Sequence, residues 1–327
     1  MDLIYYKDPH GNFGDDLNEW IWDQLLPGWQ GWDSATSLLG VGTLLNKKRL
    51  DPLRDRNLLI VGSGVGYGSV PALPLPTCWD VRSVRGPQSA RLLNLPPRAG
   101  LLDPAIMIPD FGEFSAIKTA GAPIFIPHHS SLGRLDWAEA CRGAGLDFVS
   151  PTENSKDVIR RIAAAPLVVA ESMHAAILAD SFRVPWIPIR ISHLFNAAKW
   201  DDWAESLGLN VTIPPLFPQL DAIARLLRNR RPARASRPGR ATVPDPVGVP
   251  PHHRKTARRR LEGLIVAQRL RTISQQKPCL SDPAVLAGKK AEYEKVLERI
   301  RAVYGSGSAY ASDLDRRPLA YQTRPCP

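Results

Sequence analysis

Short apolar runs rich in Val, Ile and Leu alternate with amphipathic stretches through the first two thirds of the sequence. This alternation constrains the fold most, because strands of that composition between helices are typical of parallel sheets built from βαβ units. The first series of runs predicts strands at residues 3–6, 57–61 and 80–84, and helices at residues 16–26 and 86–93.

A second series begins after a join rich in proline and phenylalanine near residues 106–114. It predicts strands at residues 122–126, 146–149, 166–170 and 186–189, and helices at residues 135–144, 156–164 and 174–181. Two such series in one chain indicate an α/β fold with two Rossmann-like lobes that face a cleft. We place these lobes at residues 1–112 and 113–227.

The composition changes beyond the second lobe. We predict an Arg/Pro-rich linker at residues 228–249, a basic helical segment at 250–305 and a disordered tail at 306–327. The helical segment should contain helices at residues 254–275 and 282–304. The first of these is amphipathic, and its predicted apolar face carries Leu261, Leu264, Ile265, Gln268 and Ile273.

The net charge of +10 is distributed unevenly, at −4 over residues 1–218 and +14 over residues 219–327. A basic C-terminal third predicts an anionic partner, either a membrane surface or nucleic acid. No nucleic-acid recognition motif accompanies the charge, so the membrane surface is the favoured partner. The alternative is a solvated helix that packs its apolar stripe on the second lobe.

Four scattered cysteines match no metal-ligand spacing, and no apolar run reaches transmembrane length. The N-terminal residues do not form a signal peptide, because Asp8 and Pro9 interrupt the apolar run early. We therefore expect a reduced cytoplasmic protein, peripheral if it meets the inner face of the cytoplasmic membrane. No metal and no cofactor is expected.

Polar residues follow several predicted strands, where ligands bind in open parallel sheets. After the first strand, Asn12, Asp15 and Asp16 could contact sugar hydroxyls, or could simply form a turn and cap the next helix. The glycine-rich loop at residues 62–68 includes Gly64 and Gly66 and could form an anion-binding nest of backbone N–H groups. It lacks the lysine of a P-loop.

Two further strand ends carry stronger candidates. Arg85 lies between a strand and a helix, where a guanidinium could hold a phosphate or carboxylate, or could be an ordinary surface arginine. His174 lies at the start of a helix after another strand, where it could act in catalysis or be structural. The pair His128 and His129 follows the strand at residues 122–126 and is a further candidate.

Seven segments together resemble the polysaccharide pyruvyltransferase family, closest to its succinoglycan-type ketal pyruvate transferases. They are YYKDPHGNFGDDLN (5–18), LLGVGTLLN (38–46), VGSGVGYG (61–68), VRGPQSA (84–90), LLDPAIMIP (101–109), IPHHSS (126–131) and ESMHAAILADSFRVPWIPI (171–189). The resemblance covers roughly residues 1–200, and the basic segment beyond residue 227 is not covered.

The resemblance implies a GT-B type fold, phosphoenolpyruvate as donor and a membrane-linked oligosaccharide as acceptor. It implies that the N-terminal lobe holds the acceptor and the C-terminal lobe the donor, and that Arg85 and His174 contact the donor. Many relatives have an arginine where this chain has Ser172. Ser172 then contacts the donor without supplying a charge, and Lys7, Arg183 or Arg190 could provide the missing cation.

The implied reaction transfers an enolpyruvyl group to a hexose and closes a pyruvate ketal. We assign His174 as general acid/base, Arg85 with Gly64 and Gly66 to donor binding, and Asn12, Asp15, Asp16, His128 and His129 as acceptor contacts or proton relays. Two alternatives stay open, a GT-B glycosyltransferase that uses a nucleotide sugar and a non-catalytic exopolysaccharide assembly protein.

Overall fold

The computed structural model describes residues 1–192, 195–217 and 251–305, with side chains from residue 262 onward in the last range. Its N-terminal half contains a four-stranded parallel sheet in the order β1-β2-β3-β4. The strands are β1 Asp2–Ile4, β2 Thr36–Leu39, β3 Asn57–Val61 and β4 Trp79–Ser83. The helices are α1 Ile21–Leu25, α2 Lys47–Leu50 and α3 Pro87–Leu92.

A second four-stranded parallel sheet follows in the order β6-β5-β7-β8. Its strands are β5 Ile124–Ile126, β6 Asp147–Phe148, β7 Val168–Ala170 and β8 Trp186–Pro188. Its helices are α4 Trp137–Ala144, α5 Ser155–Ala164 and α6 Met173–Ser181. The predicted α/β class with two parallel sheets is confirmed, whereas the lobe boundaries stay a prediction.

Four elements differ from the sequence prediction. Strand β2 was not predicted, and neither were helices α2 and α7, the latter at Ala197–Ser206. The helix predicted at residues 16–26 is broken at Trp20 into a 3-10 turn and α1. There the Trp20 indole donates to the hydroxyl of Ser155 at 3.0 Å and packs against Phe114, so contacts with the second half override the local helical pattern.

One hydrophobic cluster is shared by both sheets. Alternate residues of each strand point to opposite faces, and Leu59 of β3, Ile126 of β5 and Val168 of β7 all point into this shared cluster. Their neighbours along the strands pack into two separate clusters on the outer faces. The two halves are therefore joined by a common core, which fixes the crevice between them.

The two C-terminal helices pack against the α/β part of the molecule. Helix α8, Pro251–Ser274, packs on α4. The predicted apolar face of α8 was partly wrong: Ile273 is buried as predicted, but Leu264 and Ile265 are exposed, and the structure buries Val266, Ala267 and Leu270 instead. The neighbouring helix α4 determines which face is covered, and the local sequence pattern does not reveal it.

Helix α9, Pro283–Ile300, inserts Leu286, Tyr293 and Leu297 into the shared core. Beyond it, the Tyr304 hydroxyl donates to the Asp80 carboxylate on β4 at 2.9 Å. The linker predicted at residues 228–249 and the tail predicted at 306–327 lie outside the described residues. Within the described ranges, no helix is long and apolar enough to cross a membrane.

Candidate active site

A cavity of about 670 Å³ opens at the carboxyl ends of both sheets. Its lining residues are Tyr6, Asn12 and Asp15 after β1, Gly42, Thr43, Leu44, Asn46, Lys48 and Arg49 after β2, Tyr67 and Gly68 after β3, His128 and His129 after β5, Ser172, Met173 and His174 after β7, and Lys199 on α7. Six of the residues predicted for the site thus meet in one place, namely Asn12, Asp15, His128, His129, Ser172 and His174.

The loop after β1 reaches from the first sheet across to the second. A Cβ atom on Gly14 would overlap the imidazole of His174, so only glycine lets the loop backbone pack against this ring. The Asn12 side-chain amide donates to the Asp15 carboxylate at 2.6 Å. Burial raises the pKa of Asp15, while the nearby His174 and the Asn12 hydrogen bond lower it.

His174 lies in the first turn of α6, which starts directly after β7. Its Nε2 atom is buried and lies 3.7 Å from Oδ2 of Asp103, a fully buried carboxylate. Nδ1 is the ring nitrogen on the side of Gly14. The Nε2 atom of His174 is therefore directed into the protein, towards Asp103. The same side chain forms part of the cavity wall.

The two histidines after β5 are stacked, with ring centroids 4.2 Å apart. The His128 backbone N–H donates to the buried carboxylate of Glu171, whose other oxygen accepts from the backbone of Ile191 and Ser192. Glu171 thus holds the loops after β5 and β8 together. Burial lowers the pKa of His128 to about 3, and the positive charge of Lys199 adds to this shift. His128 is consequently neutral near pH 7.

Three cations line the cavity: Lys48 and Arg49 on α2, and Lys199 on α7. Within the described residues, neither Lys48 nor Arg49 has a carboxylate partner. The Arg49 guanidinium lies over the Tyr6 ring at 5.5 Å, and the Lys199 ammonium donates to the Tyr67 hydroxyl at 2.9 Å. An anion in the cavity would find the positive charges of Lys48 and Arg49, which form no salt bridge among the described residues.

Arg85 does not line the cavity, which corrects its predicted place in the site. Its side chain is 0% exposed and lies 3.1 Å from Asp202 of α7. It also donates to the Thr43 hydroxyl at 3.0 Å and to the Val65 carbonyl at 2.7 Å. Because its donors are engaged inside the protein, Arg85 has the position of a structural residue behind the cavity wall.

Three N–H groups of the glycine-rich loop, among them that of Gly64, are engaged inside the protein and are not offered to an anion. The backbone N–H groups of Gly62, Gly64 and Val65 donate to Ser83, Gly42 and Ser89, respectively. A Cβ on Gly64 would overlap the Arg85 guanidinium, and one on Gly66 would crowd Thr43. These glycines allow close packing behind the cavity, and neither lines it.

Other predicted residues also lie outside the cavity lining. Asp16 accepts a hydrogen bond from the Asn12 backbone and stabilises the loop after β1. Lys7 pairs with Glu19 at 2.7 Å on the surface, and Arg183 donates to Ser281. Arg190 is likewise absent from the lining. None of the three cations proposed to compensate for Ser172 is therefore placed to do so.

The model of the polysaccharide pyruvyl transferase family matches residues 9–193, which include every lining residue that follows β2, β3, β5 and β7. The chain belongs to this family. It is also 38% identical over 318 residues to the succinoglycan biosynthesis protein ExoV of Rhizobium meliloti (strain 1021), a match that covers 93% of this chain and all of that protein. The chain is thus a polysaccharide pyruvyltransferase, and the family resemblance seen in the sequence is confirmed.

Sequence reasoning missed several residues in the lining of this cavity and behind it. Lys48 and Arg49 belong to a one-turn helix in a basic KKR run, which reads as solvated surface. Lys199 lies on a helix that was not predicted, and Asp103 precedes a proline in a loop. The Asp103-Pro104 pair was the one available signal, because an aspartate before proline is typical of a helix N-cap.

Proposed function

We propose that this pyruvyltransferase uses phosphoenolpyruvate to form a pyruvate ketal on a hexose of a lipid-linked polysaccharide repeat unit, in exopolysaccharide synthesis. The observation that carries the proposal is a cavity that combines the unpaired cations Lys48 and Arg49 with Lys199 and a histidine. The ExoV relative, a succinoglycan biosynthesis protein, supports the polysaccharide pathway.

The donor carries a phosphate and a carboxylate, so it requires several positive groups. Lys48, Arg49 and Lys199 supply three, from two different elements of the fold. The N-terminus of α6 supplies backbone N–H groups and a partial positive charge beside Ser172 and His174. In this proposal the donor-binding cations are these three, and Arg85 supports the cavity wall from behind.

His174 acts as the general acid/base. It gives a proton to the methylene carbon of the donor, and C2 becomes an oxocarbenium-like centre that a sugar hydroxyl attacks. The attacking hydroxyl passes its proton to a base in the cavity. The C2–O bond to phosphate then breaks, the second sugar hydroxyl attacks C2, and its proton leaves with the phosphate. The products are a cyclic ketal and inorganic phosphate.

The acceptor is held on the side of the first sheet. Tyr6 and Tyr67 line the cavity while 41% and 46% exposed, so their rings can pack against a sugar. Asn12 and Asp15 offer an amide and a carboxyl to its hydroxyls. The raised pKa of Asp15 suits a group that takes a proton from a hydroxyl, with His128 and His129 as further relays.

The proposal includes a GT-B arrangement of two lobes, divided near residues 112 and 113. It is supported by the carboxyl ends of both sheets facing one cavity, and by α7 crossing back to pack on α3 of the first half. The site then lies between the two lobes, where the first lobe supplies the acceptor contacts and the donor-binding cations Lys48 and Arg49, and the second lobe supplies Lys199 and His174.

A lipid-linked acceptor suggests peripheral contact with the inner face of the cytoplasmic membrane. Leu264 and Ile265 project from α8 into solvent, and the same helix carries five Lys and Arg residues between positions 254 and 260. Such a helix is attracted to anionic lipid. Replacing Leu264 and Ile265 by Glu should abolish co-sedimentation with anionic liposomes, and unchanged binding would remove the membrane contact from the proposal.

The decisive experiment incubates the purified protein with phosphoenolpyruvate and a lipid-linked acceptor. Phosphate release matched by a pyruvate ketal on the sugar supports the proposal. Protection against thermal unfolding by a nucleotide sugar, with none by phosphoenolpyruvate, would instead favour a glycosyltransferase. Absence of any transfer with either donor would favour the non-catalytic alternative.

A further inference from the structure

Three polar atoms from three separate segments are buried in and behind the His174 side of the cavity wall. They are the Nε2 atom of His174 on α6, the Oδ2 atom of Asp103 in the loop that follows the first sheet, and the hydroxyl of Tyr293 on α9. Asp103 and Tyr293 are 0% exposed. None of the three atoms has a hydrogen-bond partner among the described residues. Buried polar groups are normally hydrogen-bonded, so a cluster of such atoms beside a cavity indicates function.

The Asp103 carboxylate is held in one orientation. Its Oδ1 atom accepts the backbone N–H of Ala105 at 3.0 Å and caps the 3-10 helix Pro104–Asp110. Its Oδ2 atom is thereby left facing the His174 ring, with 3.7 Å between Oδ2 and Nε2. The backbone at Gly14 packs on the ring near Nδ1. The imidazole is therefore confined between an acid on one side and glycine on the other.

Tyr293 brings the C-terminal helix into this arrangement. Burial raises the pKa of the Tyr293 phenol well above its ordinary value, and the charge of Asp103 raises it further. The phenol consequently keeps its proton and stays neutral within the electrostatic influence of the carboxylate. Helix α9 thus places a buried neutral phenol in the electrostatic vicinity of the acid that faces His174.

We infer that Asp103 is a positioning residue that keeps the Nε2 proton of His174 in place, so that Nδ1 is the atom that exchanges a proton with the substrate. The inference rests on the proposed function of His174. A carboxylate beside one ring nitrogen fixes the tautomer, orients the ring and stabilises the imidazolium formed during proton transfer. Tyr293 assists through its buried neutral phenol, whose pKa the charge of Asp103 raises, so α9 contributes to the surroundings of the carboxylate.

The tautomer can be read without any assay of activity. Long-range ¹H–¹⁵N spectra of the protein labelled in its seven histidines distinguish Nε2–H from Nδ1–H rings, and a His174→Gln variant assigns the signal of His174. The wild-type protein should show His174 protonated at Nε2. A ring protonated at Nδ1 would overturn the inference, whatever the protein does to phosphoenolpyruvate.

The variant Asp103→Asn tests the consequence for the reaction. Asn keeps the cap on Ala105 but can present an N–H to Nε2, so the ring proton should move to Nδ1. We expect kcat to fall by about 10²- to 10³-fold with less than about a threefold change in the donor KM. Tyr293→Phe should lower kcat by less than Asp103→Asn does.

Asp110→Asn is the matched control, because Asp110 is exposed and pairs with Lys290 of the same helix α9. It should leave both kcat and the tautomer unchanged. An unchanged tautomer together with wild-type kcat in Asp103→Asn would refute the inference. If wild-type protein transfers no pyruvyl group but His174 has the expected tautomer, the proposed function fails and the structural assignment of Asp103 stands.

Discussion

Two buried contacts between a basic and an acidic side chain lie behind the cavity wall, and they are built differently. In the first, Arg85 pairs with Asp202 at 3.1 Å, and Asp202 also accepts from the backbone and hydroxyl of Ser89. Arg85 also donates hydrogen bonds to the Thr43 hydroxyl and to the Val65 carbonyl. This contact joins α7 to the first half of the molecule with its charges fully paired.

In the second contact, His174 faces Asp103 at 3.7 Å, and the facing atoms have no other partner among the described residues. A fully paired buried ion pair fixes geometry, whereas an incompletely paired one retains interactions that can form when charge develops. We infer from this difference that Arg85, whose charge is fully paired, stabilises the cavity wall. His174, whose Nε2 atom has no partner among the described residues, can instead respond to a change in charge.

The largest effect is expected where the incompletely paired contact is removed. His174→Ala should lower kcat by about 10³- to 10⁴-fold, because it deletes the proposed general acid/base. The thermal midpoint should change little, since the histidine side chain forms no hydrogen bond with the residues that the structure describes. Steady-state kinetics with phosphoenolpyruvate and far-UV circular dichroism check both parts. Turnover within a few fold of wild type would remove His174 from the mechanism.

The next effect concerns the fully paired contact. Arg85→Ala should lower the free energy of unfolding by about 3–5 kcal/mol, because it leaves the Asp202 carboxylate buried without its cation. Urea unfolding measures this loss. The donor KM should rise as well, since Asp202 and Lys199 share α7. A variant with wild-type stability but lost donor affinity would instead restore Arg85 as an anion-binding residue.

Arg91→Ala is the control for that variant. Arg91 joins the same helices, α3 and α7, through a surface pair with Glu205 at 2.8 Å. Exposed pairs are screened by water and salt, so we expect no measurable change in the unfolding midpoint. A loss as large as that of Arg85→Ala would show that any contact between these helices matters, and that burial is not the reason.

The comparison also explains how far the sequence could predict the site. Apolar runs of Val, Ile and Leu identified seven of the eight strands, and the rule that ligands bind at carboxyl ends brought His174, His128 and Asp15 together correctly. The partner of Arg85 could not be found that way, because Asp202 is 117 residues away on a helix that was not predicted. Without the partner, a strand-end arginine resembles an anion site.

The same limit applies to the cations that do line the cavity. Whether a lysine faces a cavity or solvent depends on the course of the loop after its strand. Lys47 and Lys48 are adjacent in sequence and both exposed, yet only Lys48 lines the cavity. Neither periodicity nor composition separates two neighbours on a one-turn helix.

Lys199 lies near both buried contacts. It precedes Asp202 by one turn on α7, and it lines the same cavity as His174. Lys199→Met should raise the donor KM by about 10- to 100-fold, the scale of one hydrogen bond to a charged group, with a smaller change in kcat. Lys47→Met is the matched control, and its donor KM should equal that of wild type. Equal donor KM values for the two variants would show that Lys199 does not bind the donor.

The smallest effect concerns His128 in the cavity lining, and it is a difference of about one proton in the proton uptake on unfolding. Burial, Lys199 and His129 lower the pKa of His128 to about 3, below its ordinary value near 6.5. Between these values the unfolded chain binds a proton that the folded chain does not, so this histidine makes the protein less stable as the pH falls from about 6.5 towards 3.

His128→Asn removes that contribution but retains a side-chain oxygen that can accept from Ser130, as Nδ1 does at 3.3 Å. Proton uptake on unfolding at pH 5 should therefore be about one proton smaller in the variant than in wild type. Equal uptake would mean that His128 is already protonated in the folded protein. Burial and the charge of Lys199 would then not lower the pKa of His128 to about 3.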